Sequence, residues 1–309
     1  MKHILPVIRL LRPLQWLKNA VVAVPFFFAF GDLFQRKELQ EELPQKVLMV
    51  VAAMVAFSLV SSAVYVLNDI CDREQDRLHP EKKFRPIASG EVSVTLALWM
   101  IPFLLLVAFG VGYPVGMGFL GILLLYVVLQ LAYSFGLKRV ALLDVFIIAL
   151  GFVLRIFAGG KAVDVELSMW LILCTFLLAL FLGMCKRRQE LGVRSEELGV
   201  ATALSPTRHR AVLEQYSLGA LDLYSAMTGT AVIVCYAIYT LSPETVGKFG
   251  TQALAWTVPL VTFGIFRYIH LVHWHKGGGR PEKTLVTDIP IMLTVVFYGL
   301  AVLGIFFVK

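Results

Sequence analysis

Apolar stretches of roughly twenty residues recur along this chain from end to end, with no polar linker between them that would separate soluble domains. A helix that crosses a bilayer needs about 20 mostly apolar residues. On that rule the chain reads as about nine spans, near residues 13–34, 47–70, 94–111, 115–135, 141–160, 167–185, 217–241, 253–272 and 285–308. The first is the least regular, because Lys18 and Asn19 interrupt it. It is expected to cross, or to lie at the interface and turn inward. The third and fourth are joined only by Gly110 to Pro114, which suits a tight helical hairpin. The expected fold class is all-α, a polytopic integral membrane protein, with residues 1–309 forming a single membrane domain.

Composition agrees. Of the 309 residues, 58% are hydrophobic and only 16% charged, and the mean hydropathy is +0.78. Soluble domains are nearer half apolar and a quarter charged. The net charge of +7 would point to nucleic acid in a soluble protein. Here topology explains it, and no nucleic-acid partner is expected. Cys71, Cys174, Cys185 and Cys235 have no metal-like spacing and give no sign of a disulfide framework. The N-terminus has no short apolar run followed by a small-residue cleavage site, so no removed signal peptide is expected.

The cations sort by side. Of the 28 Lys and Arg, 21 fall on the side of the N-terminus, 6 on the other, and Arg155 lies within a span. The positive-inside rule places the N-terminus in the cytoplasm and the C-terminus outside. The expected location is the inner (plasma) membrane. The long loops at 71–93, 186–216 and 273–284 share the cytoplasmic side, so chemistry is expected there.

One of those loops opens with the run Asn68-Asp69-Ile70-Cys71-Asp72-Arg73-Glu74-Gln75-Asp76, where the apolar segment from Val47 to Leu67 ends. Asp69, Asp72 and Asp76 are spaced three and then four apart, offsets that share one helix face. Three carboxylates on one face repel unless a cation lies between them. A hard divalent ion with oxygen ligands answers that need, and Mg²⁺ does so when a phosphorylated substrate shares the coordination. Arg77, Lys82, Lys83 and Arg85 follow at once, and such cations suit phosphate. Carboxylates for a metal beside cations for phosphate point to a pyrophosphate site. The bland alternative is an acidic helix end in an ordinary loop.

Other cations are candidates for the same site. Arg155 sits in an otherwise apolar span and needs a partner. That partner is a carboxylate of the acidic run, a ligand phosphate, or Asp144, which lies eleven residues earlier on the same helix face. Lys186, Arg187 and Arg188 close the sixth span. A helix C-terminus and the positive-inside rule account for some of them, and Lys186 and Arg187 are expected to bind phosphate. Lys138 and Lys18 are further candidates. His270, His273 and His275 suit no single helix face and are not expected to bind metal. Gly277-Gly278-Gly279 is a hinge, since no Lys-Ser/Thr follows it.

Taken together, Asn68 to Asp76 and Arg85-Pro86-Ile87-Ala88-Ser89-Gly90 resemble the UbiA superfamily of membrane prenyltransferases, over nearly the whole chain. Arg12 to Asn19, His79 to Pro86, Gly151 to Gly160 and Lys186 to Leu191 resemble its decaprenyl-phosphate phosphoribosyltransferase branch. The resemblance implies a UbiA-type helical bundle. It also implies transfer of phosphoribose from phosphoribosyl pyrophosphate (PRPP) to a polyprenyl phosphate, with pyrophosphate released, for cell-envelope precursor synthesis. On that reading Asn68, Asp69, Asp72 and Asp76 hold Mg²⁺ and are the catalytic set. Lys18, Lys83, Arg85, Lys138, Arg155, Lys186 and Arg187 contact phosphates. Aromatic prenyltransferases carry a second Asp-x-x-x-Asp motif after span six. Between 186 and 216 this chain lacks it and offers Glu190, Glu196 and Glu197.

Two rivals remain open at this stage. A prenyltransferase would use the same metal site but take a polyprenyl diphosphate as donor to an aromatic or other acceptor. A transporter or lipid-binding protein would move a substrate without cleaving a bond, yet no inverted repeat is legible. A homo-oligomer is compatible with the sequence, which contains no readable interface.

Overall fold

The computed structural model describes residues 4–35, 41–78, 82–200, 211–274, 284 and 287–307. Among them every regular element is a helix. The α-helices are α1 (Ile4–Leu11), α2 (Val24–Gln35), α3 (Leu43–Cys71), α4 (Arg73–Arg77), α5 (Val94–Gly112), α6 (Met117–Phe135) and α7 (Leu143–Val163). They continue with α8 (Met169–Val200), α9 (Leu218–Leu241), α10 (Pro243–Phe249), α11 (Val258–Trp274) and α12 (Ile289–Phe307). Seven helical segments among the described residues are long and apolar enough to cross a membrane, and Ile289–Ile305 is a shorter apolar helix.

The first expected span, 13–34, is not one α-helix. Pro13–Ala23 is a 3-10 stretch, and α2 follows it. Polar chemistry explains the break. Trp16 Nε1 donates to Ser62 Oγ at 3.0 Å and Asn19 Nδ2 donates to Ser58 Oγ at 3.0 Å. The stretch is therefore pinned to α3 by side-chain hydrogen bonds. The expected hairpin is present: α5 ends at Gly112, Tyr113–Val115 turns, and Gly116 takes φ 117° before α6.

Helix starts follow the sequence. Ser93 Oγ accepts from Leu96 N to cap α5, and Ser217 Oγ accepts from Ala220 N to cap α9. Helix α3 has 29 residues. At 1.5 Å per residue it is about 43 Å long, against a hydrocarbon core of about 30 Å. It therefore outreaches the core, with the acidic run at one end.

The helices group into two compact units. The first holds α1 to α6 and most of α7. Its main core packs Phe57 of α3 with Phe119, Leu123 and Tyr126 of α6 and with Ala158 and Ala162 of α7. A smaller cluster joins Leu10, Val66, Ile87, Val92 and Ala97. Gly159 lets α7 meet the 3-10 stretch, since a Cβ there would lie 2.0 Å from the Val22 carbonyl oxygen.

The second unit holds α8 to α12. Phe181 and Cys185 of α8 pack with Val232 of α9, Ile265, Tyr268 and Leu271 of α11, and Ile291 of α12. Asp222 accepts from Arg188 Nε at 3.0 Å and faces His273 Nε2 at 2.9 Å, joining α8, α9 and α11. Helix α8 runs on to Val200, so Lys186, Arg187 and Arg188 do not close a helix, contrary to the sequence expectation. With 32 residues, α8 is longer than a bilayer requires, and its polar second half carries these cations along the same helix.

Candidate active site

The acidic run does not continue one helix. α3 ends at Cys71, and Asp72 takes φ −94° and ψ 4° before the short α4. The break places the three aspartates differently. Asp69 and Asp76 are buried, whereas Asp72 is partly exposed.

Arg85 ties the two buried carboxylates together. Its Nη1 donates to Asp69 Oδ1 at 3.0 Å and to Asp76 Oδ2 at 2.7 Å. The loop that carries it is fixed by an apolar plug, because Ile87 and Val92 enter the cluster with Leu10 and Val66. Arg77 Nε donates to the Ala88 carbonyl at 3.2 Å, binding α4 to the same loop. Asp72 Oδ1 accepts from Lys138 Nζ at 2.9 Å. Lys138 lies in the 3-10 turn Leu137–Arg139 that follows α6.

A further cation, Arg12, donates from Nη2 to Asp69 Oδ1. Its guanidinium also lies 5.1 Å from the centroid of the Tyr65 ring. Three carboxylates thus meet three cations. A buried carboxylate needs such partners, since desolvating an ion costs several kcal/mol. Two oxygens are left over: Asn68 Oδ1 and Asp69 Oδ2 are buried and accept no hydrogen bond.

Those two oxygens fit a hard divalent cation, whose ligands are carboxylate, amide and water oxygens. The three aspartates do not form a ready cage. Among the described residues no group of three His, Cys, Asp or Glu side chains is placed to hold a metal.

The other sequence candidates are scattered. Lys83 is exposed, with its ammonium 5.1 Å from the Phe84 ring centroid. Lys18 is half-buried on the 3-10 stretch. Arg155 is buried, and neutral oxygens take its donors. Nε donates to Asn19 Oδ1 at 2.8 Å, Nη1 to the Gly151 carbonyl at 2.8 Å, and Nη2 to Tyr126 OH at 3.0 Å and Ser61 Oγ at 3.4 Å. The rings of Phe57, Tyr126 and Phe152 surround it. Ser61 lies eight residues before Asp69 on α3, about 12 Å along the helix. Arg155 therefore serves the wall beneath the acidic run, and its partner is not Asp144. Lys186 and Arg187 lie in the second unit. Arg187 is buried, and its Nη1 donates to Glu190 Oε2 at 2.8 Å. Part of the 186–216 loop, His275 and Gly277–Gly279 lie outside the described residues.

Sequence reasoning missed Arg12 as a site residue. Its partner is 57 positions away, and no spacing rule reaches that far. The available signal was a charge beside Pro13 at the start of an apolar segment.

The model of the UbiA prenyltransferase family matches residues 22–286. This chain belongs to the UbiA prenyltransferase family. Among curated relatives, decaprenyl-phosphate phosphoribosyltransferase of Mycolicibacterium smegmatis is 32% identical over 91% of this chain and 86% of its own length. The Corynebacterium glutamicum protein of the same name is 31% identical over 97% and 86%. A UbiA homolog from Archaeoglobus fulgidus, solved bound to DMAPP and Mg²⁺, superposes with TM-score 0.69 over the whole of both chains at 17% identity. That likeness establishes the shared UbiA fold. The chain is a multi-pass membrane protein of the UbiA family, and the family is one of transferases.

Proposed function

We propose that this UbiA-family member transfers phosphoribose from PRPP to a polyprenyl phosphate and releases pyrophosphate. The observation that carries the reading is the 32% identity to a decaprenyl-phosphate phosphoribosyltransferase along 91% of the chain. The cation-rich surroundings of the acidic run support it, because PRPP brings a 5-phosphate as well as a pyrophosphate.

Asn68 and Asp69, whose side chains keep buried oxygens without a hydrogen-bond partner, would hold the divalent cation, with Asp72 and Asp76 completing the acidic wall. A Mg²⁺ ion held there would supply charge neutralisation to the leaving pyrophosphate. Arg85 and Lys138, which bond the acidic run, contact phosphate oxygens, and exposed Lys83 on the same loop as Arg85 is a further contact. Lys18 is a further phosphate contact, whereas Lys186 and Arg187 belong to the second unit and are given no part in this site. Arg155 acts as a positioning group through Asn19 and Tyr126, since neutral partners already engage its donors.

The ribose C1 gains oxocarbenium character as its bond to pyrophosphate lengthens. The lipid phosphate is anionic at neutral pH and attacks C1 from the opposite face, with inversion. No proton must be removed from it, so the site needs no strong general base. The polyprenyl tail lies between apolar helices and opens to the bilayer. The N-terminus and this site face the cytoplasm of the inner membrane, in keeping with the distribution of Lys and Arg.

Radiolabelled PRPP tests the reading. Label should move to an organic-soluble product only when polyprenyl phosphate and Mg²⁺ are both present. Label that stays aqueous, with product formed instead from a polyprenyl diphosphate and an acceptor, would make the chain a prenyltransferase.

A further inference from the structure

Asp69 already carries two arginines, yet its Oδ2, like the Oδ1 of the preceding Asn68, is buried without a hydrogen-bond partner. A divalent cation bound there would meet Arg12 and Arg85 around one carboxylate. Like charges at such short range repel strongly where water is scarce. One arginine has to give way.

The two are held differently. Arg85 bridges Asp69 and Asp76 from a loop anchored by Ile87. Among the described residues Arg12 bonds a single carboxylate, Asp69. Its backbone is left-handed, with φ 54° and ψ 59°, immediately before Pro13. That conformation is uncommon for a residue other than glycine. The flanking chain is fixed on both sides. Leu10 is fully buried, and Ser62 Oγ bonds the Leu11 carbonyl at 2.9 Å and accepts from Trp16. The side chain can therefore turn while the backbone stays in place. The Arg12 side chain is 27% exposed and that of Arg85 29%, against 2% for Asp69, so the two arginines differ in the number of carboxylates each holds and not in exposure.

We propose that Arg12 is a placeholder for the divalent cation. It neutralises Asp69 in the resting protein. When the metal arrives with pyrophosphate, it releases Asp69 and turns to the phosphate oxygens. Asp69 thereby stays compensated in the resting state, and cation binding becomes coupled to that of the pyrophosphate substrate. The inference rests on the proposed metal site.

Binding of Mn²⁺, followed by loss of the free-ion paramagnetic resonance signal, tests it on the full chain in detergent without substrate. Arg12→Gln should bind Mn²⁺ on the order of tenfold tighter than the wild type, and Arg12→Met should do the same without a side-chain amide to bond Asp69. Arg12→Lys keeps the charge and should match the wild type. In the presence of PRPP, both neutral variants should turn over more slowly with a raised KM for PRPP. Equal or weaker Mn²⁺ binding by both neutral variants would overturn the placeholder role and leave the metal site standing, provided Asp69→Asn weakens binding. Mn²⁺ binding that ignores Asp69→Asn, or that is absent throughout, would remove the metal site and this inference with it.

Discussion

Arg155 Nε donates to Asn19 Oδ1 at 2.8 Å, so a buried cation of α7 is held by an amide of the N-terminal 3-10 stretch. Asn19 in turn donates to Ser58, and Arg155 reaches Tyr126 and Ser61. One side chain thus joins the 3-10 stretch, α3, α6 and α7. Polar bonds within membrane proteins average about 0.6 kcal/mol each. Replacing Arg155 with Met should therefore cost roughly 2 kcal/mol for its four bonds. Thermal melting in detergent checks this, and an unchanged melting point would show that the network carries no stability.

The all-helical membrane class was legible because apolar length is a local property, whereas the count of about nine spans was approximate: seven helices among the described residues are long enough to cross. The acidic run was legible for the same reason, since its residues are neighbours in sequence. What joins it to the rest was not. Arg12 reaches it from 57 positions away and went unread, whereas Lys138, 66 positions away, was a candidate by its charge and not by any legible contact with Asp72. The partners of Arg155 are neutral side chains, and a search for carboxylates passes over them. The break at Asp72 and the continuation of α8 to Val200 were misread. Charge spacing fits a continuing helix as well as a broken one, and a run of cations marks a membrane boundary without marking a helix end.

Gly159 faces the Val22 carbonyl so closely that a methyl group cannot enter without moving backbone. Gly159→Ala should lower the melting point by several degrees, consistent with an overpacking cost of about 1–3 kcal/mol. Gly121→Ala is the control, because nothing lies within 4 Å of a Cβ there. Equal melting of the two variants would contradict the close approach.

Lys138 Nζ holds Asp72 at 2.9 Å, and both side chains are partly exposed. The pair therefore contributes little to folding. Its proposed role is to contact phosphate. Lys138→Gln should lower kcat/KM for PRPP on the order of a hundredfold with melting unchanged. Steady-state kinetics beside a melting curve separates the two effects.

Cys71 is exposed at the end of α3, whereas Cys185 and Cys235 are buried. A membrane-impermeant maleimide should label Cys71 in inverted vesicles and leave it unlabelled in right-side-out vesicles, with Cys71→Ser as the background. Labelling from the outside would reverse the proposed orientation.

The central claim is that the lipid phosphate attacks PRPP at the acidic run. Pyrophosphate release by the purified protein tests it most directly, with Mg²⁺ and PRPP, in the presence and absence of polyprenyl phosphate. The account predicts release that requires both the lipid phosphate and the metal and that is mostly lost in Asp72→Asn, whose fold is retained. Release that ignores the lipid phosphate, or near wild-type release by Asp72→Asn, would contradict it.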